Sequence, residues 1–513
     1  MRLNILAIVL AVVASSGANT ANAQRLTAAD SALVGRLLLA EETRDTSSAA
    51  YADGMRHSDP RIQVIARRGL GRSRDASFVR RDSIPALPAP PVYTDPAWRL
   101  RYRALGARND RCDDLNTALA DSAWPVRLRA AELVTAGCAS NAALLATLRD
   151  WTKTMPITSA RTKGAVSWHA TAHGLTALAR VAPAEARAVL ARAVASRIPT
   201  LRTYAARAAA TLSDTATLRR LAVDADDNVK EAAIGGLARV AGHSADDVFL
   251  AALAGRGNPV IRAAASALKG SPRGDAVLSA SLNAARRLQH DSSETARRVR
   301  AAVAERVAEF AKAGDWSRVA PLAADYDCAI ARAYGAIGTT LGVAGAAAHC
   351  TPMPIALPAD AVRLAFGADV RLRVVMADSS GGGSFVVRLR GDNAPVMAAR
   401  VLALVRSRWF NGNTWHRVEP DFVIQGGAPG ANEFRGFPRF FRDELGVVPH
   451  ARGTIGMSTG EHDTGDSQWF VNLRDNFRLN KEYTVFGEVI EGIDLIDSVL
   501  EGDVIARIEV IGK

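Results

Sequence analysis

The chain has 513 residues, 48% hydrophobic and 23% charged, an ordinary globular composition long enough for two or more domains with cores of their own. Its formal charge of +12 is uneven: from Asp360 onward there are 18 Lys+Arg against 21 Asp+Glu, and before it 46 against 31. Such a basic field attracts acidic proteins, anionic lipid or cell-wall polymers, or is simply a solvated arginine-rich helical face.

Chain order begins with a leader. Arg2, the apolar run Ile5 to Ala14 and the small-residue site Ala21-Asn22-Ala23 read as a secretory signal peptide over 1–23, with a signal anchor as the alternative. The run is short of the roughly 20 residues that span a bilayer, and no later segment supplies a membrane span. No Cys stands near the cleavage site to carry a lipid. The expectation is a periplasmic or secreted protein, and nucleic acid is then a poor partner. In that compartment disulfides persist. Of the three pairings open to Cys112, Cys138, Cys328 and Cys350, the sequence-local one, Cys112 with Cys138 and Cys328 with Cys350, is favoured because each would staple adjacent helices. Free thiols are the alternative, and zinc is weaker for want of any CxxC pair.

Residues 24–350 carry Ala, Leu and Arg at helical spacing with short polar or Pro-containing breaks, so this region is read as all-helical. A pattern recurs in it: a capping residue, often followed by Pro, then an apolar and a basic residue, then small residues and Leu. It runs from Asp59-Pro60 to Leu70, Asp95-Pro96 to Leu105, Asp121 to Leu133, Asp226 to Leu237, Asn258-Pro259 to Leu268 and Glu294 to Val307. Asp and Asn accept the free N–H groups of a first helical turn, and Pro is tolerated at its start. The spacing of most copies, about 30–36 residues, is that of a helix-pair solenoid. Over roughly residues 50–310 the pattern resembles HEAT repeats, which implies a partner-docking surface; a generic Ala-rich bundle is the alternative.

Pro-rich stretches at Ser83–Pro91 and Thr351–Pro358 read as extended. The second is taken as a linker, 351–359, before a change to strand-like alternation. From there Val362 to Met376, Phe385 to Leu389, Phe422 to Gln425, Gly453 to Met457, Gln468 to Asn472, Thr484 to Val489 and Val504 to Val510 read as strands, and Pro395 to Arg406 and Ile493 to Leu500 as helices. The Ser379 to Gly383 run is a hairpin turn, since no Gly-Lys-Ser/Thr follows it. Many strands with two helices predict a closed antiparallel β-barrel with two capping helices over 360–513.

Within this domain, Trp415-His416-Arg417-Val418-Glu419-Pro420-Asp421-Phe422-Val423-Ile424-Gln425-Gly426-Gly427 resembles the active-site signature of the cyclophilins. Gly453 to Ser458 with Ser467 to Val471, and Tyr483 to Val489, resemble the family's second and third blocks. The resemblance implies peptidyl-prolyl cis-trans isomerase activity on proline-containing polypeptides, with no cofactor and no metal. It implies Arg417 as the donor to the prolyl nitrogen, Gln425 as a ligand of substrate backbone, and Phe422, Val423, Phe470 and Leu479 as lining of the proline pocket. Taken one at a time, the apolar residues are equally plain barrel core. The family's usual Ala-Asn pair is replaced by Ser458-Thr459, its pocket His by Tyr483, and its cyclosporin-binding Trp aligns with Arg478 or Phe477, so the resemblance implies weak cyclosporin affinity.

The chemistry needs little. An X-Pro bond prefers trans by only about 0.5–1 kcal/mol yet exchanges over tens to hundreds of seconds, because rotation breaks amide resonance. At the twisted transition state the prolyl nitrogen regains a lone pair that an N–H donor engages, while an apolar pocket holds the ring. Two other constellations are weaker. His169 and His173 stand at i, i+4 but lack a third ligand, and Ser467 beside Asp466 and His462 lacks a nucleophile elbow. The leading expectation is therefore an exported prolyl isomerase carried behind a helical docking scaffold. The rival is a catalytically weak proline-peptide-binding scaffold.

Overall fold

The computed structural model describes residues 26–75, 87–106, 111–161, 168–290 and 296–511. The leader expected over 1–23, part of the first Pro-rich stretch and Glu294 fall outside the described residues. Among these residues no helix is long and apolar enough to cross a membrane.

From residue 97 to 340 the helices lie in two layers. Ala97–Gly106, Trp124–Leu133, Trp168–Val181, Pro199–Thr211, Asp227–Val240, Asn258–Ala267, Arg297–Phe310 and Cys328–Thr340 each pack on the next and form one layer. Intervening helices such as Cys112–Leu119, Ala142–Lys153, Thr215–Leu221 and Gly274–Gln289 form the other and pack against it. One apolar core runs through the stack from Leu105 to Ile337. Small residues permit the close approach: a Cβ on Gly236 would come within 2.8 Å of Leu218. Disulfides join Cys112 to Cys138 and Cys328 to Cys350, so each ties a helix N-terminus to a neighbouring turn or strand. Asp59 and Asp226 cap their helices, Asp226 accepting from the N–H groups of Asn228 and Val229 at 2.9 and 3.2 Å. Asn258 instead lies inside its helix behind the cap Gly257, because its amide donates to Phe434 O at 3.2 Å in the sheet region.

The first three helices, Ala28–Glu42, Ala49–Met55 and Pro60–Arg74, do not join this stack. Their buried residues, Leu37, Leu38, Ile62 and Ile65 among them, share a second core with the C-terminal sheet. Arg72, 1% exposed, fastens them: it donates to Glu41 Oε1 at 2.8 Å and to the carbonyls of Leu445 and Asn393. Ala361–Ala365, within the stretch expected as strand, is a helical turn packed on Ala28–Glu42, with Ala361, Leu364 and Ala365 buried.

Two short strands, β1 (Ala324–Asp325) and β2 (His349–Cys350), pair with each other in parallel. The remaining strands are β3 (Arg371–Met376), β4 (Ser384–Leu389), β5 (Arg417–Val418), β6 (Val423–Gly426), β7 (Thr454–Met457), β8 (Trp469–Asn472), β9 (Val485–Glu491) and β10 (Ile505–Ile511). They form one antiparallel sheet in the order β10-β3-β4-β9-β7-β8-β6-β5. Helices Pro395–Arg406 and Ile493–Asp497 accompany it. The expected barrel is not closed. The edge strands β5 and β10 share no ladder among the described residues; the residues just before β5 and around the start of β10 meet in an isolated bridge, Thr414 with Val504, and in backbone hydrogen bonds such as Gly412 N–H to Ile505 O at 2.8 Å and Trp415 N–H to Asp503 O at 2.9 Å. The physical reason lies in β5, which ends after two residues where Glu419-Pro420-Asp421 turns the chain, and Pro cannot donate to a ladder.

Candidate active site

The site starts from a hairpin. Phe422 N–H donates to Glu419 O and Glu419 N–H to Val423 O, each at 2.8 Å, closing a turn between β5 and β6. The register then sets Arg417 opposite Gln425, and the next strand sets Phe470 opposite Gln425. Cross-strand neighbours of this kind share a face, so three strands present a guanidinium, an amide and a phenyl ring in one row.

Below the row is a small pocket of about 60 Å³ lined by Arg417, Phe422, Val423, Gln425, Ser458, Phe470, Leu479 and Tyr483. Val423, Phe470 and Leu479 form its buried floor, with Phe422 and Tyr483 packed against them. Every apolar pocket residue expected from the sequence thus meets in one place, including Leu479, brought in by the short turn Phe477–Leu479. Thr459 sits one pocket further on, in a cavity of about 190 Å³ that shares Arg417, Gln425, Ser458 and Tyr483 with the first. Of the candidates for the cyclosporin-binding position, Phe477 is exposed and the Arg478 guanidinium lies 4.6 Å over the Phe422 ring.

Polar partners orient the row. Arg417 donates to Glu419 Oε1 through Nε at 2.9 Å and Nη2 at 2.5 Å, and through Nη1 to Gln425 Oε1 at 3.3 Å. Gln425 Nε2 donates to Gln468 Oε1 at 3.3 Å, and Gln468 Nε2 reaches Asp466 Oδ2 at 3.5 Å. Burial pushes the Asp466 carboxyl up to about 6. Behind Phe470, the His450 ring stacks at 5.7 Å. Asn472 Nδ2 donates to His450 Nδ1 at 3.1 Å, which leaves Nε2 to donate to Tyr483 O at 3.0 Å. Burial pushes His450 down to about 4, so a neutral ring backs the pocket. Gly456 is required by closeness: a Cβ there would sit 2.3 Å from Phe470 Cζ.

Sequence reasoning missed Glu419, Gln468, Asp466 and His450. Glu419 was in plain view inside the motif, and Gln468 stands two residues before Phe470, on the same face of an extended segment. It also missed Arg297 and Arg298 of the helical stack, which line the second cavity. The Arg298 guanidinium lies 5.3 Å over Phe434 and 3.7 Å from Glu433, and a Cβ on Gly460 would approach its Cδ at 3.2 Å. Nothing in the local sequence marks that long-range contact.

The competing constellations find other partners. Ser467 Oγ donates to Gly427 O at 2.9 Å, while His462 pairs with Asp443 at 3.0 Å and not with the serine. His169 bonds Glu501 O at 2.7 Å, and His173 bonds the Tyr204 hydroxyl at 3.2 Å. Burial pushes both histidines down to about 3, so they pack as neutral rings.

The site is thus an apolar pocket the size of a small ring, rimmed by a guanidinium and an amide on an antiparallel sheet. Residues 373–509 match the family described as cyclophilin type peptidyl-prolyl cis-trans isomerase/CLD. A probable peptidyl-prolyl cis-trans isomerase of Brucella suis is 32% identical over 165 residues, covering 29% of this chain and 81% of that protein. A peptidyl-prolyl cis-trans isomerase of Helicobacter pylori is 33% identical over 130 residues, covering 25% of this chain and 80% of the relative. A crystal structure of a Cryptosporidium parvum cyclophilin type isomerase aligns over 28% of this chain and 99% of that one, at 22% identity and a TM-score of 0.26. The chain belongs to the cyclophilin-type peptidyl-prolyl cis-trans isomerases, and it is an enzyme of that class.

Proposed function

We propose that this chain speeds X-Pro bond rotation in exported proteins, with residues 360–513 as the catalytic domain and the helical stack, a HEAT-like repeat array, as a docking scaffold. The observation that carries the reading is the row Arg417, Gln425 and Phe470 at the mouth of the pocket floored by Val423, Phe470 and Leu479. The proline ring enters that pocket and loses water there. Gln425, with Ser458 and Thr459 nearby, holds the substrate backbone. Arg417 then donates an N–H to the prolyl nitrogen as the amide twists, an interaction absent in the planar ground state and therefore one that lowers the barrier of about 18–20 kcal/mol. The pair with Glu419 aims the guanidinium without removing its charge.

Export is supported by the leader and by the two disulfides, which persist in oxidising compartments. The experiment is isomerisation of an Ala-Pro tetrapeptide by the purified full chain, together with thiol titration of the protein recovered from the cell envelope. Catalysis and four blocked thiols are expected. A folded chain without catalysis overturns the enzymatic reading, and four free thiols overturn the exported one.

A further inference from the structure

A cavity of about 1160 Å³ lies between the helical stack and the catalytic sheet, and its lining includes His416 and Arg417. It is larger than the roughly 300–1,000 Å³ of small-molecule pockets. It joins the cavity of about 190 Å³ beside the small pocket through Arg417 and Glu433. Helices Asp227–Val240 and Asn258–Ala267 offer it small residues, among them Ala232, Gly235, Ala263 and Ser266. The floor is open, since a Cβ on Gly235 would meet nothing within 4 Å.

Charge decides what fits. Besides Arg417, which pairs with Glu419, the lining holds Arg197, Arg207 and Arg262 against Asp226, Glu231, Glu433 and Glu501. Three of the carboxylates are engaged. Asp226 caps a helix, Glu501 accepts the Tyr204 hydroxyl at 2.7 Å, and Glu433 lies 3.7 Å from Arg298. Burial pushes the fourth, Glu231, up to about 7, with Arg262 and Arg207 partly offsetting the rise. The three arginines make no ion pair within 4 Å among the described residues. Arg207 and Arg262 are aimed by stacking over Tyr204 at 4.5 Å and Phe434 at 4.9 Å.

We propose that this cavity takes an extended, acidic stretch of an unfolded polypeptide flanking the isomerised proline, with Arg197, Arg207 and Arg262 pairing with its carboxylates. The inference rests on the isomerase reading and gives it a substrate class. Two factors support it: continuity with the cavity beside the proline pocket through Arg417 and Glu433, and three guanidinium groups that have no carboxylate within 4 Å among the described residues and so keep their donors open to an incoming one.

The test uses the full chain and two peptides with one central Ala-Pro bond, one flanked by Glu and one by Lys, followed by NMR exchange. The Glu peptide is expected to show a kcat/KM about tenfold higher at low salt, and the difference is expected to collapse near 1 M salt, as for partly exposed charges. In the variant Arg197→Glu, Arg207→Glu, Arg262→Glu the preference disappears or reverses. Equal rates for both peptides in the wild-type chain, or a preference that survives in the folded variant, overturn the proposal. If the variant does not fold, the salt response of the wild-type chain decides. Turnover of an Ala-Pro tetrapeptide with no charge preference sinks this proposal alone; no turnover of any peptide sinks the isomerase reading beneath it.

Discussion

Replacing Arg417 with Ala removes the charged donor that lines the small pocket among the described residues. A hydrogen bond from a charged group is worth about 1.5–3 kcal/mol. The Arg417 side chain is 39% exposed, so solvent screening puts the loss in the lower half of that range, roughly 2 kcal/mol. At about 1.4 kcal/mol per factor of ten, kcat/KM should fall about 30-fold. Because the bond forms only as the amide twists, kcat should fall with it while KM barely moves. Arg417→Lys should recover only part of the loss, since a point charge cannot span Glu419 and the prolyl nitrogen as the planar fork does. The assay is NMR exchange on an Ala-Pro peptide, with thermal melts of both variants beside it. A fall in kcat/KM of less than about threefold, with the melting temperature unchanged, would refute the role given to Arg417, since a donor acting in the transition state is worth far more than that.

Gly456→Ala places a methyl group against Phe470, so catalysis should drop at least about tenfold with weakened peptide binding; Gly314→Ala, which meets no atom within 4 Å, is the matched control for a harmless glycine change. His450 is neutral when folded and protonates readily when unfolded, so the unfolded state binds the extra proton and stability is lost as pH falls from about 6.5 toward 4. His450→Gln should therefore make the unfolding free energy depend less steeply on pH in that window, by about 1.4 kcal/mol per pH unit, and an identical slope in denaturant titrations counts against a neutral buried ring. Arg72→Ala leaves buried Glu41 with the Arg68 guanidinium at 3.7 Å and takes the donor from two interior carbonyls, and should cost about 3 kcal/mol, the low end for breaking a buried pair. By the same reasoning, segment 360–513 alone should melt well below a chain that retains 26–75, because the two share one core; equal melting temperatures would show that the N-terminal helices merely rest on the sheet.

The row Arg417, Gln425 and Phe470 was legible through its resemblance to the cyclophilin signature blocks, each of which is a short run of sequence. Arg417, Phe422, Val423 and Gln425 lie in one hairpin whose turn residues and alternation set the register, and Phe470, Leu479 and Tyr483 follow in blocks with their own strand and turn chemistry. Helical periodicity likewise announced the stack, because an apolar stripe at 3.6-residue spacing is a property of the segment itself. Such a stripe says that a face will be buried but not against what. Only the tertiary structure decided that Leu37, Leu38, Ile62 and Ile65 pack beneath the sheet and not with the other helices, and that Arg297 and Arg298 line the cavity beside Arg417 and Gln425 from more than a hundred residues away. The same holds for His169 and His173, whose spacing fits a metal site but whose hydrogen bonds go to Glu501 and Tyr204. It holds too for the open sheet, where closure depended on how far the strand after Trp415 could run before Pro420 ended it. Local chain geometry is encoded residue by residue, whereas the partner of a buried face is chosen by the shape and charge of surfaces that exist only once the chain has folded.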